Sequence, residues 1–521
     1  MYVHLFHGSL HRLLTSPCDV TPVTIATLPD VALLEIFDFY LDRDDPDYPY
    51  REFTTAWHAL VHVCRKWRNV VFGSPLRLKL RLYCEPHRTP VRKTIVAWPA
   101  LPIVVVCDRW SEIRDNRKWV DNIVAIFEHS DRICRLKLAT QSWQLEKVLA
   151  AMQQPFPALT RLTLYSKDGE TGPPVVPDSF LGGSAPQLQS LRLQCVLFPG
   201  LTKLLLSATR LVCLCLWGIP HSGYISPETM VTCLSVLTRL ETLDIHFESP
   251  QSRPDQRRRR PPPPTRTLLP VLTRLDFKGA SEYLEDFMAR IDAPLLDFLN
   301  ITFFHQLTFD TPQLTQFISR RTPQFKAVDE AYLDFYDEFG TPNVALFSQE
   351  PFFSRLIFGV SCNQSDWQLS FMTQMCCSSF PQDLIATVEN LCIRDSKSRR
   401  DLPWQDDIEG SQWLELLHPF TGVKTLRICE GFTPRIAPAL QELVGERATE
   451  VLPALQSLSL EEYLFPSRPV LDAIDQFVVA RQLVGHPVAV DRWWEDDSES
   501  DESSNESDED EDESSYETDD G

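Results

Sequence analysis

The chain has 521 residues, 43% of them hydrophobic, and a formal net charge of −22. That length exceeds one simple core and calls for a repeat array or several domains. The charge is local: residues 495–521 carry 16 acids and no base, leaving 56 acids against 50 bases elsewhere, so the body lacks the cation excess of a nucleic-acid binder.

The 14 cysteines include no CxxC pair and no Cys/His spacing of a zinc site. Several fall inside apolar phrases, among them Cys134, Cys213, Cys215, Cys392 and Cys429. They read as reduced thiols packed as small apolar groups, which fits the cytoplasm or the nucleus. Met1–Leu14 is interrupted by His4, His7, His11 and Arg12, so no secretory signal is read there. No run of about 18 apolar residues points to a membrane span. There is no glycine-rich phosphate loop, no HExxH and no GxSxG, so neither an active site nor a cofactor is expected.

After an extension, 1–22, the first helical pattern lies in Leu28–Leu41, LPDVALLEIFDFYL. Pro29 and Asp30 suit a helix start, and Leu33, Leu34, Ile36, Phe37, Tyr40 and Leu41 form a broad apolar face. Residues 42–49 break the pattern. A second helix is predicted over 57–71, with Leu60, Val63, Cys64, Trp67 and Val71 on one face. So small a helical unit has apolar surface to spare, either for a partner or for capping the body of the chain. Leu28-Pro29, Ile36-Phe37 with Leu41, and Val63-Cys64-Arg65-Lys66-Trp67 resemble an F-box, assigned here to 23–75. The resemblance implies docking to the adaptor subunit of an SCF-type cullin–RING ubiquitin ligase through Leu28, Pro29, Ile36, Val63, Cys64 and Trp67, and through that adaptor to a cullin. The loop at 42–56 is longer and more acidic than the family's usual one.

Beyond a connector at 76–98, a six-residue phrase recurs with apolar residues at positions one, four and six. Thirteen copies run from Leu101-Val104-Val106 through Leu188-Leu191-Leu193 to Leu455-Leu458-Leu460, at steps of 23 to 35 residues. Looser copies are Val328-Ala331-Leu333 and Phe353-Leu356-Phe358. Proline stands two residues before position one in six copies: Pro99, Pro157, Pro186, Pro270, Pro294 and Pro453. Alternating strand side chains put positions four and six inward, and no repeat covers its own apolar side, so neighbours must stack. The predicted fold is an α/β repeat protein: a short all-helical F-box head, then a leucine-rich-repeat horseshoe over 99–482. The family's usual Asn after the phrase is missing, which matches an irregular, fungal-type F-box solenoid.

Positions three, five and seven of each strand then face the concave side. They include Arg135, Arg161, Lys137, Asp244 and Asp276. Tyr165, Arg192, Trp217, His246 and Arg274 are the leading candidates for holding a protein client, because aromatic and Arg side chains on adjacent strands are the usual interface anchors. Residues 249–267 (SPQSRPDQRRRRPPPPTRT) read as a disordered Arg/Pro loop inserted between two repeats, either a plain solvated loop or a basic patch. The tail, 491–521, is too acidic to fold alone, and Ser498, Ser503, Ser507 and Ser514 each precede an acid by three residues. The leading expectation is a non-catalytic substrate receptor that binds an unknown protein client, without membrane or nucleic acid. The alternatives are a scaffold that no longer docks and a chaperone resembling acidic-tailed leucine-rich proteins.

Overall fold

A computed structural model describes residues 28–42, 56–73, 80–83, 95, 102–107, 117–167, 172–255, 265–304, 310–325, 328–335, 343–347, 355–361, 365–394, 410–429, 431–461 and 468–493. The extension 1–22, Arg257–Arg260, the prolines at 261–264 and residues 494–521 of the acidic tail lie outside these residues; residues 491–493, read from sequence as the start of that tail, instead end a strand, Ala489–Trp493, that pairs in parallel with Ser457–Glu461 beyond the predicted end of the repeats at 482. The chain falls into two compact units, Met1–Gly279 with Ala289–Leu295, and Ala280–Met288 with Leu296–Gly521. Among the described residues no helix is long and apolar enough to cross a membrane.

The first unit begins with three helices, α1 (Asp30–Asp42), α2 (Ala56–Val63) and α3 (Arg65–Gly73). The helix predicted over 57–71 is therefore two, broken at Cys64. The break has a local cause. Cys64 acts as the N-cap of α3: its carbonyl accepts from Arg68 N at 3.1 Å and its Sγ from Trp67 N at 3.5 Å. Arg68 Nε in turn donates to Val61 O at 3.0 Å, satisfying a carbonyl at the end of α2. Lys66 Nζ donates to Leu28 O at 2.6 Å and ties α3 to the start of α1.

Eight strands come next in this unit: β1 (Leu80–Tyr83), β2 (Ile103–Cys107), β3 (Ile133–Gln141), β4 (Arg161–Lys167), β5 (Ser190–Gln194), β6 (Cys213–Ile219), β7 (Thr242–Phe247) and β9 (Arg274–Gly279). They lie side by side in chain order and every pair is parallel. Position four forms one continuous row, Leu136–Leu162–Leu191–Leu214–Leu243–Leu275, each residue at most 2% exposed. Helices such as Ser142–Ala151, Leu201–Ser207 and Pro227–Leu234 add buried side chains at three- and four-residue steps: Leu145, Val148 and Leu149; Leu201, Leu204 and Leu205; Met230, Val231 and Leu234.

The first phrase is out of register. Val105 and Cys107, not Val104 and Val106, align with Leu136 and Leu138, and a bulge after Ile103 shifts the pairing. A one-residue slip exchanges the faces of a strand. In a run as uniformly apolar as Ile103–Cys107, side-chain type cannot tell the two faces apart. The Arg/Pro insertion also ends early, since Thr267–Leu268 (β8) pairs in parallel with Ile291–Asp292 (β10).

The punctuating prolines have a defined place. Leu159 N bonds Phe156 O, Leu188 N bonds Ala185 O and Leu455 N bonds Leu452 O, at 3.1 Å each. Pro157, Pro186 and Pro453 are thus the second residue of a turn, where a fixed φ is favourable. The residue before each proline is itself core: Phe156, Ala185 and Leu452 are at most 3% exposed. Copies without proline keep the turn, as at Ala208–Leu211 and Phe420–Val423. In the latter, Gly422 lies so close to Ala386 that an added Cβ would stand 2.1 Å from its carbonyl oxygen.

The second unit has strands β11 (Phe298–Phe304), β12 (Glu330–Asp334), β13 (Asn343–Phe347), β14 (Arg355–Ser361), β15 (Asn390–Arg394), β16 (Thr425–Ile428), β17 (Ser457–Glu461) and β18 (Ala489–Trp493). Their order is β11-β14-β13-β12-β15-β16-β17-β18. The copies at 328 and 353 are therefore not successive neighbours, as a plain array requires. The chain passes two positions over to β12, then returns through an antiparallel meander. β13, which the phrase does not mark, fills the gap with both faces buried. The inward row survives the reversal, as Leu299–Leu356–Leu346–Ala331–Leu391–Leu426–Leu458. In each unit the sheet resembles that of a leucine-rich-repeat solenoid.

Candidate functional site: an apolar head and a charged strand face

The head has filled its inner side. Leu33, Phe37, Leu60, Val61, Val70 and Val71 are buried, and Trp67 packs edge-on against Phe37 at 4.8 Å between ring centroids. Other apolar groups stay in solvent. Val31 is 68% exposed, Ile36 44% and Val63 58%. Of the six residues drawn from the F-box resemblance, Pro29, Ile36, Val63 and Cys64 are exposed, while Leu28 and Trp67 are half-buried. The single face predicted for Leu60, Val63, Cys64, Trp67 and Val71 is split: Val63 and Cys64 point outward, and Val61 and Val70 take the inner places. The break at Cys64 rotates α3 relative to that pattern. Trp67 Nε1 is buried without a hydrogen-bond partner among the described residues.

The outer strand face of the first unit carries the five client candidates. Arg192 is in row five, flanked by Thr163 and Cys215. Tyr165, Gln194 and Trp217 form row seven. Trp217 stacks on His246 at 6.2 Å, and His246 Nε2 lies 2.8 Å from Asp276 Oδ1. Arg274 Nη2 reaches Asp276 Oδ2 at 3.4 Å, and its Nε stands 4.0 Å from Asp244. So Trp217, His246 and Arg274 are brought into one cluster through Asp276. Tyr165 and Arg192 sit apart from it.

Charge on this face is uneven: Arg135, Lys137, Arg161 and Arg192 occupy β3 to β5, whereas β7 and β9 mix Asp244 and Asp276 with Arg274 and Lys278. Between them stand Cys213 and Cys215 of β6, with sulfurs 3.5 Å apart. Cys213 is half-buried on the outer face, which corrects its reading as a core thiol. The hydrogen bond from Cys215, aided by the Arg192 guanidinium, pulls the Cys213 thiol down to about 6. Its partner Cys215 is pushed up by the same bond and by burial. Burial also raises the Asp244 carboxyl. The reason the sequence missed the thiol pair is physical: cysteine counts as apolar in any periodicity, and position five gives no hint of its neighbours. In the second unit one such cation is held by its neighbours. Arg394 Nε holds Asp334 Oδ1 at 2.5 Å and stacks over Tyr332 at 4.3 Å.

Among the described residues there is no cluster of three or more His, Cys, Asp or Glu able to hold a metal ion. No family model matches the chain, and no curated protein matches it. Among solved structures, the leucine-rich repeat-containing protein LegL7 from Legionella pneumophila is similar at 12% identity, over 77% of this chain and 97% of its own, with a TM-score of 0.23.

Proposed function

We propose that the chain is the substrate-recognition subunit of an SCF-type ubiquitin ligase. The head docks the adaptor subunit, the strand face of the repeats holds a client protein, and the ligase transfers ubiquitin to that client. The chain supplies orientation and effective concentration and no catalytic group. The observation that carries this reading is the head's spare apolar surface: a three-helix unit has a filled inner side yet leaves Val31, Ile36 and Val63 in solvent. Exposed apolar groups beyond what folding uses mark interaction surfaces. The Leu28-Pro29 and Val63-Cys64-x-x-Trp67 resemblance gives the partner's identity.

Co-purification of the full chain with the adaptor subunit tests the proposal. Ile36→Asp with Val63→Asp should abolish capture while leaving the circular dichroism spectrum and Tm within a degree or two, because both side chains are exposed. Trp67→Ala is a poorer probe, since it also removes the Phe37 contact. A wild-type chain that captures no adaptor sinks the ligase reading and leaves a repeat-based scaffold.

A further inference from the structure

We propose that Cys213 and Cys215 are a peroxide-modified site, in which Cys213 is oxidised first and Cys215 resolves it to a disulfide. The two residues share the outer face of β6, with sulfurs 3.5 Å apart. Their access differs. Cys213 is half-buried and lines a hollow of about 270 Å³ on the outer strand face. Cys215 is 2% exposed and does not line it. A small oxidant therefore reaches the first sulfur and not the second. Such a site goes beyond the adaptor-and-client reading and does not depend on it.

A cysteine attacks as its thiolate, and the reactive ones are partly exposed, low in pKa and next to a second thiol. The bond from Cys215 and the neighbouring Arg192 guanidinium hold the Cys213 thiol at about 6 against its partial burial. Cys215 is pushed upward by the same bond and by burial, so it stays a neutral thiol until the first sulfur is oxidised. Its proton has an acceptor. Asp244 stands directly beside Cys215 in the β6–β7 register, and burial raises that carboxyl, which makes it a better base. The second unit offers an internal comparison. Cys392 and Cys429 are joined by the same kind of bond but are only 6% and 9% exposed, so an oxidant in solution meets neither.

The chemistry balances with hydrogen peroxide as the oxidant. The Cys213 thiolate attacks one peroxide oxygen and the O–O bond breaks. The departing hydroxide takes up the proton that Cys213 released, leaving water and a sulfenic acid. The Cys215 sulfur then attacks Cys213 Sγ. The S–O bond breaks, and the leaving hydroxide becomes water with the Cys215 proton, passed on by Asp244. Two thiols lose two electrons, and one peroxide becomes two waters. Two residues along a strand separate Cα atoms by about 6.6 Å, near the top of the roughly 4.4–6.8 Å that a disulfide spans. The bridge therefore draws β6 together at Leu214, and a strained bridge of this kind is readily reduced. Trp217 follows two residues on, so its stack on His246 feels the contraction.

The test treats the full reduced chain with one equivalent of hydrogen peroxide, blocks remaining thiols with iodoacetamide in denaturant and maps the tryptic peptides by tandem mass spectrometry. The peptide 211–239 should lose two hydrogens and carry its alkyl group on Cys233 alone, while Cys392 and Cys429 are both alkylated. Dithiothreitol should restore both thiols. Cys215→Ser should stop the reaction at a sulfenic acid on Cys213 that dimedone labels, and Cys213→Ser should leave Cys215 a thiol. In the native reduced chain, iodoacetamide should modify Cys213 about tenfold or more faster than Cys377, which is exposed but whose thiol is raised by burial. The wild-type mapping and rates decide by themselves if Cys215→Ser does not fold. Cys213 no faster than Cys377, a bridge to Cys233 in place of Cys215, or Cys213 and Cys215 both alkylated after peroxide treatment overturns the proposal.

Discussion

Arg481 is the least surface-like charge in the second unit. It is 0% exposed, within the helix Arg468–Leu483, and its guanidinium donates to four backbone carbonyls: Ala448 and Leu452 from Nη1 at 3.1 and 3.4 Å, Pro453 and Leu455 from Nη2 at 3.3 and 3.0 Å. Burial lowers its pKa from the usual guanidinium value, yet the group stays charged at neutral pH. Ala448 lies in the 3-10 turn Gly445–Thr449, and the other three carbonyls belong to the turn that leads into β17, where Leu452 holds φ at 50°. Without the guanidinium, Leu452 O keeps the bond from Leu455 N at 3.1 Å, while Ala448, Pro453 and Leu455 each lose a donor, at about 1–3 kcal/mol for each acceptor left unpaired. Arg481→Met is therefore predicted to destabilise the second unit by about 3 kcal/mol or more, read as a fall in the midpoint of urea unfolding. Arg481→Lys should recover little, because one ammonium with three donors cannot span four carbonyls. A midpoint unchanged in Arg481→Met would show that the carbonyls are satisfied without it. An Arg in the last turn of a helix reads from sequence as a solvated cap, and the fixed turn that surrounds it is a tertiary fact.

At the scale of elements, one repeat's side chain caps the next repeat's helix. Glu285, on the helix Ser281–Met288, is 5% exposed. Its two carboxylate oxygens accept from Gln313 N at 2.9 Å and Leu314 N at 2.8 Å, the free donors at the start of the helix Pro312–Phe325. Glu285→Gln keeps the shape but loses one acceptor and the charge, and is predicted to cost about 1–2 kcal/mol; Glu285→Ala should cost more. Amide exchange at Gln313 and Leu314 should speed up in both variants before any strand of the unit responds. Exchange that rises equally everywhere would argue against a cap. What the sequence disclosed at this scale was which side chains face inward. Leu299, Ala331, Leu356 and Leu391 are all found in that row. What it withheld was which strand neighbours which. A period of two fixes the face of a strand and says nothing of its partner, so the β12–β13–β14 reversal was invisible. The split at Cys64 was hidden for a related reason: a thiol on an apolar face looks like core until its sulfur is seen to cap the next helix.

At the scale of the whole molecule, the candidate strand face was half legible. Strand alternation located Tyr165, Arg192, Trp217, His246 and Arg274 on the outer side. Their grouping depends on cross-strand register, which brings Asp276 between His246 and Arg274 and assembles the four cations from three different repeats. The same neighbour-by-neighbour construction governs stability. In stacked repeats each strand touches only the next, so a local defect should stay local. Leu191 is 0% exposed at the centre of the first unit's inward row, and Leu191→Ala removes its contacts with β4 and β6. The cavity should cost about 3 kcal/mol. If opening is local, amide exchange on β5 should accelerate by about a hundredfold, with smaller gains on β4 and β6 and little on β2 or β9. Hydrogen exchange by mass spectrometry resolves these strands. A uniform rise from β2 to β9 would instead mean that the unit opens as one body.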